Sequence, residues 1–105
     1  MIIDIDKSTF DEEITQPCIV DFYTSGCPAC DKLAPVFEQM SEQIDSVRFL
    51  KVNLDNDISL AERYSLKYVP TLMLFNGGEP VSVSTGFMDI GELTSFINSG
   101  EDALK

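Results

Sequence analysis

Cys27 and Cys30 are separated by two residues in the segment Ser25-Gly26-Cys27-Pro28-Ala29-Cys30. An apolar run precedes this segment and a helical pattern follows it, so both thiols fall at the start of a predicted helix. The unpaired N–H groups and the positive dipole end of a helix N-terminus stabilise a thiolate, which favours Cys27 as a nucleophile. Cys30 follows one turn later, close enough to form a disulfide with Cys27. The spacing therefore predicts a dithiol redox site.

The same spacing also occurs in zinc sites and in pairs of inert, buried cysteines. A structural zinc site needs four nitrogen or sulfur ligands, but the chain has no His, and its only other cysteine is Cys18. An inert pair is disfavoured because a helix N-terminus lowers the pKa of a thiol and because Pro28 suits the first turn of a helix. We therefore expect no metal at this site, and we expect Cys18 to be a small, buried side chain.

The composition is that of an acidic chain with the size of one compact domain. The chain has 105 residues, 44% of them hydrophobic, and its 18 acidic and 7 basic side chains give a net charge of −11. We expect a single domain over residues 1–105. The negative charge argues against nucleic acid or an anionic membrane as a partner. Without a visible signal peptide or membrane-spanning run, a cytoplasmic location is expected, where such a cysteine pair is more often catalytic than structural.

The order of the hydrophobic patterns predicts an α/β protein with the elements βαβαβαββα. Continuous apolar runs at residues 18–23, 47–54 and 71–75 indicate buried strands. Apolar residues at spacings of three and four, from Leu33 to Ile44, indicate an amphipathic helix after the cysteines. These patterns imply a mixed sheet with helices on both of its faces.

Capping and turn residues predict three further boundaries. Ser8 and Asp11 fit a capping pair that would open the first helix. The segment Asn76-Gly77-Gly78 tolerates positive φ and predicts a tight turn between two strands. The segment Asn98-Ser99-Gly100 predicts the end of the last helix, which Asp89 or a neighbouring residue opens.

With these elements in place, the chain resembles the thioredoxin family over nearly its whole length. The residues that carry the resemblance are Ile19-Val20-Asp21-Phe22, Cys27-Pro28-Ala29-Cys30, Leu33-Ala34-Pro35, Lys51, Val69-Pro70-Thr71 and Gly86. The resemblance implies the thioredoxin fold and a thiol-disulfide oxidoreductase that reduces protein disulfides through Cys27 and Cys30. It also implies electrons from a thioredoxin reductase, no bound cofactor, disulfide-containing client proteins as partners, and a monomer.

The redox motif itself departs from the family pattern. Thioredoxins usually carry Trp-Cys-Gly-Pro-Cys, whereas this chain has Gly26 in place of the Trp, Pro28 directly after the first cysteine, and no Trp anywhere. Cys-Pro-x-Cys is the arrangement of glutaredoxins, so a glutathione-dependent oxidoreductase is one alternative. A binding module that keeps the fold but makes little use of the cysteines is another. Asp31, where a Lys is common, places a negative charge next to Cys30, which disfavours a thiolate.

The chemistry suggests distinct roles for the residues around the dithiol. Cys27 would attack a client disulfide, and Cys30 would then attack the sulfur of Cys27 and release the reduced client. Asp21 is expected to accept the proton of Cys30, because burial raises the pKa of a carboxyl; its alternative is an exposed carboxylate at a strand end. Lys51 falls where the family has a Lys near that Asp, which makes it a supporting residue or, alternatively, an exposed strand residue.

The resemblance also implies a surface that binds the client. A cis peptide bond between Val69 and Pro70 would bring that loop against Cys27 and leave the Val69 backbone free to pair with an extended client segment. An ordinary trans proline in a loop is the alternative for Pro70. The predicted substrate-binding residues are Gly26, Pro28, Val69, Pro70, Gly86 and Phe87.

Overall fold

A computed structural model of the chain shows the predicted order of elements, βαβαβαββα. It describes the backbone of residues 1–103 and the side chains of residues 1–101, so residues 104 and 105 of the predicted domain lie outside the described residues. The elements are β1 (Ile2–Asp4), α1 (Phe10–Glu13), β2 (Cys18–Tyr23), α2 (Pro28–Gln43), β3 (Arg48–Asn53), α3 (Ile58–Arg63), β4 (Thr71–Asn76), β5 (Glu79–Thr85) and α4 (Ile90–Ala103). None of the described helices is long and apolar enough to cross a membrane. The α/β fold class is confirmed.

A five-stranded mixed sheet in the order β1-β3-β2-β4-β5 forms the centre of the fold. β1, β3 and β2 run parallel, whereas β4 is antiparallel to both β2 and β5. Parallel neighbours need a crossover connection, and α2 provides it between β2 and β3. β2 therefore lies in the middle of the sheet, and its carboxyl end leads into the segment with the two cysteines.

Apolar side chains cover both faces of the sheet. On one face, the ring of Phe10 from α1 lies 6.0 Å from that of Phe22 and 5.8 Å from that of Phe75, measured between centroids. On the other face, α2 and α4 contribute Leu33 and Leu93 to a second buried cluster. Coverage on both faces explains why β2 has a nearly continuous apolar sequence.

The first helix does not begin with the predicted capping pair. α1 begins at Phe10, and Thr9 is its N-cap without a side-chain capping hydrogen bond. The backbone N–H of Ser8 donates to Asp6 Oδ1 at 2.9 Å, and the Ser8 hydroxyl donates to the same oxygen. The prediction for Ser8 and Asp11 was therefore wrong, because the nearby Asp6 carboxylate takes the hydroxyl that would have capped the helix.

The last helix begins as predicted but ends later. Asp89 and Glu92 form a capping box, in which the Glu92 N–H donates to Asp89 Oδ1 at 2.8 Å and the Asp89 N–H donates to Glu92 Oε1 at 3.1 Å. α4 then continues to Ala103, so the predicted end at Asn98-Ser99-Gly100 was wrong. Gly100 is buried within the helix against Leu74 of β4, so this glycine permits close packing and does not end the helix.

Gly100→Ala should destabilise the protein. A Cβ atom at this position would overlap the side chain of Leu74, which is fully buried and has little room to move. Overpacking of this kind lowers the free energy of unfolding by about 1 to 3 kcal/mol. Gly91→Ala in the same helix is the control, because a Cβ there meets only an ordinary contact with Asp89. Urea unfolding should give a lower midpoint for Gly100→Ala alone, and equal midpoints for both variants would contradict the packing.

Candidate active site

Cys27 is the N-cap residue of α2. Its backbone is extended, with a φ of −99° and a ψ of 110°, and Pro28 occupies the first helical position. The Asp31 N–H donates to the Cys27 carbonyl oxygen at 3.0 Å, and the Cys30 N–H donates to Cys27 Sγ at 3.1 Å. Cys27 Sγ thus lies where helix N–H groups point, which stabilises negative charge on the sulfur once the disulfide is reduced.

A disulfide bond joins Cys27 and Cys30. Their Cα atoms are 5.2 Å apart, within the usual range for disulfides. The two cysteines differ in exposure, because Cys27 is half-buried whereas Cys30 is only 5% exposed. Cys27 is therefore the sulfur that a second protein can reach.

The loop before β4 lies against Cys27. The Val69 carbonyl oxygen is 3.8 Å from Cys27 Sγ, and the Val69-Pro70 peptide bond is cis. Cys27 carries no S–H in the disulfide, so this approach is a contact and not a hydrogen bond. The Gly86 N–H donates to the Pro70 carbonyl oxygen at 2.8 Å. The structure therefore brings Val69 next to Cys27, and Gly86 next to Pro70.

The other predicted substrate-binding residues are exposed. Gly26 and Pro28 flank Cys27 in the chain, and Phe87, which follows Gly86, is 44% exposed. Gly26 has a φ of +73°, a conformation that side chains rarely adopt, although a Cβ there would meet nothing within 4 Å. A Trp at this position would therefore have enough space, but the backbone conformation of Gly26 would be strained for it.

Asp21 is buried in the face of the sheet that α2 and α4 cover. It is 1% exposed, and its Oδ1 has no hydrogen-bond partner among the described residues. Ile19, two residues earlier on β2, packs with Leu33 of α2, so Asp21 faces the helix that carries Cys30. Burial raises the pKa of Asp21 to about 6, and the positive charge of Lys51 acts in the opposite direction. The alternative of an exposed carboxylate at a strand end was therefore wrong.

Lys51 lies directly beside Asp21. The two residues are register partners on β3 and β2. Lys51 is half-buried, and its Nζ lies 4.5 Å from the centroid of the Tyr23 ring. Tyr23 is a site residue that the sequence patterns did not single out. Its spacing of two residues from Asp21 in a predicted strand is the signal that could have placed both on the same face.

Cys18, the third cysteine, is fully buried in β2. Its side chain is 0% exposed, and burial raises the pKa of its thiol to about 12. A thiol with so high a pKa is a poor nucleophile at neutral pH. Cys18 is therefore the small, buried side chain that its apolar surroundings predicted.

The fold and the site define a class of protein. In this α/β fold, a disulfide lies at the N-terminus of a helix, beside a loop with a cis-proline. One of its sulfurs is accessible and the other is buried. Exchange with the disulfide of a second molecule is the chemistry that this arrangement supports. It is the arrangement of a thiol-disulfide oxidoreductase.

Comparisons with known proteins identify the family. The family model for thioredoxin matches residues 1–99. The thioredoxin of Rickettsia bellii (strain RML369-C) is 31% identical over 103 residues, which cover 94% of this chain and 98% of that protein. Thioredoxin 1 of Synechococcus elongatus is 35% identical over 86 residues, which cover 78% of this chain and 80% of that protein. The chain belongs to the thioredoxin family and is a thiol-disulfide oxidoreductase.

A solved structure agrees with this assignment. The crystal structure of the thioredoxin of Malassezia sympodialis (Mala s 13) matches with a TM-score of 0.87 at 25% identity, and the match covers 95% of this chain and 90% of that one. The thioredoxin fold that the resemblance implied is thereby confirmed.

Proposed function

We propose that the protein reduces disulfide bonds in other proteins, with Cys27 as the attacking nucleophile and Cys30 as the resolving thiol. The observation that carries this proposal is the unequal placement of the two sulfurs, since Cys27 is half-buried at the N-terminus of α2 and Cys30 is 5% exposed. A client can react only with an accessible sulfur, whereas the resolving thiol needs to reach only Cys27. This geometry supports a fixed order of attack.

The proposed reaction consists of two exchange steps. In the first step, the Cys27 thiolate attacks one sulfur of the client disulfide, a mixed disulfide forms, and the other client sulfur leaves as a thiolate that takes a proton from water. In the second step, Cys30 loses its proton and attacks Cys27 Sγ, so the bond to the client breaks and the second client sulfur leaves. Two electrons have then passed to the client, and Cys27 is joined to Cys30.

Asp21 is the proposed proton acceptor for Cys30. A carboxyl with a pKa of about 6 is mostly ionised at neutral pH and is basic enough to take a proton from a thiol. Its Oδ1 has no hydrogen-bond partner among the described residues and can therefore accept one. Lys51 is the proposed supporting residue, because its charge opposes the rise in the pKa of Asp21 that burial causes.

The proposed client-binding surface consists of Gly26, Pro28, Val69, Pro70, Gly86 and Phe87. Among the described residues, neither the N–H nor the C=O of Val69 forms a backbone hydrogen bond. These free groups support pairing with an extended client segment, which would place a client cysteine near Cys27. The exposed ring of Phe87 supports an apolar contact at the edge of this surface.

A thioredoxin reductase is the proposed source of electrons, and no bound cofactor takes part. We place the protein in the cytoplasm as a monomer, with residues 1–105 as a single domain. The net charge of −11 supports protein partners over nucleic acid or an anionic membrane, because both of these would repel the protein surface.

Reduction of insulin tests the proposal and separates it from the two alternatives. We expect insulin to be reduced when NADPH and thioredoxin reductase supply electrons, with Cys27→Ser inactive and Cys18→Ala as active as the parent. Activity with glutathione and glutathione reductase alone would indicate a glutathione-dependent enzyme. A folded protein that is inactive with both electron sources would be a binding module.

Alkylation of the reduced protein should mark Cys27 first. Cys27 is half-buried at a helix N-terminus, whereas Cys30 is 5% exposed and Cys18 is fully buried. Thiol reactivity follows exposure and the fraction of thiolate, and both favour Cys27. Iodoacetamide at neutral pH, followed by peptide mass spectrometry over time, should show modified Cys27 well before the other two. Faster labelling of Cys30 or Cys18 would show that the roles are wrongly assigned.

A further inference from the structure

Three charged side chains lie side by side across neighbouring strands. Asp4 of β1 is the register partner of Lys51 on β3, and Lys51 is also the register partner of Asp21 on β2. Register partners project from the same face, and neighbouring strands lie about 4.8 Å apart. Lys51 therefore lies on the strand between two carboxylates. Asp4 is exposed to solvent, whereas Asp21 is buried, with 1% exposure.

The Lys51 ammonium is not bound to either carboxylate. Among the described residues it forms no ion pair, and its Nζ instead lies 4.5 Å from the centroid of the Tyr23 ring. A cation over an aromatic ring at such a partly exposed site is held only weakly. The position of the ammonium thus depends on small, competing attractions, and the loss of one neighbouring charge can change it.

A cleft of about 470 Å³ opens beside Asp4 and Lys51, and Tyr23 and Asn53 are also among the residues that line it. The pKa of Tyr23 is raised by burial and then by the charges of Asp4, Asp21 and Asp55. Both carboxylates of the row of Asp4, Lys51 and Asp21 therefore act on the ring that Lys51 covers.

The other elements around Asp21 present apolar or uncharged groups to it. Its partner on β4 is Leu72, while α2 and α4 pack Leu33 and Leu93 on this face. Cys30 of α2 adds a thiol when the disulfide is reduced. Burial raises the pKa of Asp21 and the charge of Lys51 lowers it, so a change in the position of the ammonium changes how basic Asp21 is.

We propose that Asp4 is a positioning residue for the resolving step, because its carboxylate competes with Asp21 for the Lys51 ammonium and leaves Asp21 basic enough to take the proton of Cys30 near neutral pH. This inference rests on the proposed role of Asp21. In that step the S–H proton moves to Asp21, the Cys30 sulfur bonds to Cys27 Sγ, and the client sulfur leaves with the electrons of the broken bond. Asp4 and Lys51 neither form nor break a bond.

The second phase of a stopped-flow reaction with 5,5′-dithiobis(2-nitrobenzoate) measures the resolving step. The first coloured thiolate appears when Cys27 attacks the reagent, and the second appears when Cys30 resolves the mixed disulfide. The rate of this second phase should rise with pH as Asp21 loses its proton. The midpoint is the pH at which this rate reaches half of its maximum. Asp4→Asn should lower the midpoint by about half a pH unit, since the ammonium can then approach Asp21 and favour its charged form.

A double-mutant cycle separates an effect through Lys51 from a direct one. Lys51→Met alone should raise the midpoint, because Asp21 loses its opposite charge. If Asp4 acts through Lys51, then Asp4→Asn combined with Lys51→Met should have the same midpoint as Lys51→Met. Asp6→Asn is the matched control, because Asp6 lines the same cleft but lies outside the row, and it should leave the midpoint unchanged.

Three results would overturn the inference. One is an Asp4→Asn variant with the midpoint of the parent, and another is an equal shift for Asp4→Asn with and without Lys51. An equal shift for Asp6→Asn would show that only the overall charge matters. A parent protein that shows no second phase at all would overturn the proposed function, and the inference with it, and is readily distinguished from these outcomes.

Discussion

Cys30→Ser should abolish turnover while leaving client proteins attached to Cys27. The variant keeps the accessible Cys27 at the helix N-terminus but lacks the buried thiol that releases the client. Attack on a client disulfide then stops at the mixed disulfide. Insulin reduction should fall by about 100-fold or more, as expected for the loss of an essential nucleophile.

The trapped adducts provide a second measurement of the same prediction. A cell lysate passed over immobilised Cys30→Ser should yield proteins that dithiothreitol releases. The double variant Cys27→Ser with Cys30→Ser is the matched control and should retain none of them. A folded Cys30→Ser variant with parental turnover, or without any dithiothreitol-sensitive adduct, would contradict the assigned order of attack.

Asp21→Asn should stabilise the protein at neutral pH and slow the resolving step. Burial raises the pKa of Asp21 from its ordinary 3.8 to about 6 in the folded protein, so the ionised carboxylate favours the unfolded chain. A difference of this size corresponds to about 3 kcal/mol of stability. Asn keeps a similar shape but carries no charge and accepts no proton from Cys30, so stability and turnover should change in opposite directions.

The pH dependence of this stability follows from proton counting. Between the two pKa values, folded Asp21 holds a proton that the unfolded chain has lost, so the free energy of unfolding decreases as the pH rises to about 6 and stays lower above it. Below the unfolded pKa both states hold the proton, and the penalty disappears. Asp21→Asn should therefore gain about 3 kcal/mol at pH 8 and much less at pH 4.

Urea unfolding at these two pH values measures the effect. Glu38→Gln is the control, because it removes an exposed carboxylate from α2 without changing the buried face of the sheet. An Asp21→Asn variant with the same gain at both pH values would show that shape, and not charge, causes the change. Unchanged resolving kinetics would remove Asp21 from the proposed mechanism.

Local patterns predicted most of the fold. The apolar run at residues 18–23 and the spacing of three and four in α2 each reflect one element that packs on its neighbours. The two boundary errors arose where a distant or unexpected partner decides the structure. Ser8 bonds to Asp6 and does not cap α1, and Gly100 remains helical because it packs against Leu74.

Some features of the candidate site could likewise be predicted from local residue patterns, whereas others depend on residues that are distant in the chain. The spacing of Cys27 and Cys30 predicts a redox pair without any knowledge of the fold, whereas the contact of Val69 with Cys27 depends on how the chain returns to the sheet. The resemblance to a family implied that contact, and local residue patterns alone do not show it. The row of Asp4, Lys51 and Asp21 depends on strand register, which hydrophobic patterns do not specify across three strands.

The reduction potential of the Cys27 and Cys30 couple tests the central claim most directly. Pro28 and Ala29 between the cysteines depart from the usual family residues, and such changes alter the stability of the thiolate and hence the potential. Equilibration with dithiothreitol buffers and, separately, with glutathione buffers, followed by quantification of the free thiols, gives the value. A reductant of protein disulfides should have a potential of about −270 mV, whereas a value of about −120 mV would make the protein an oxidant and contradict the proposed function.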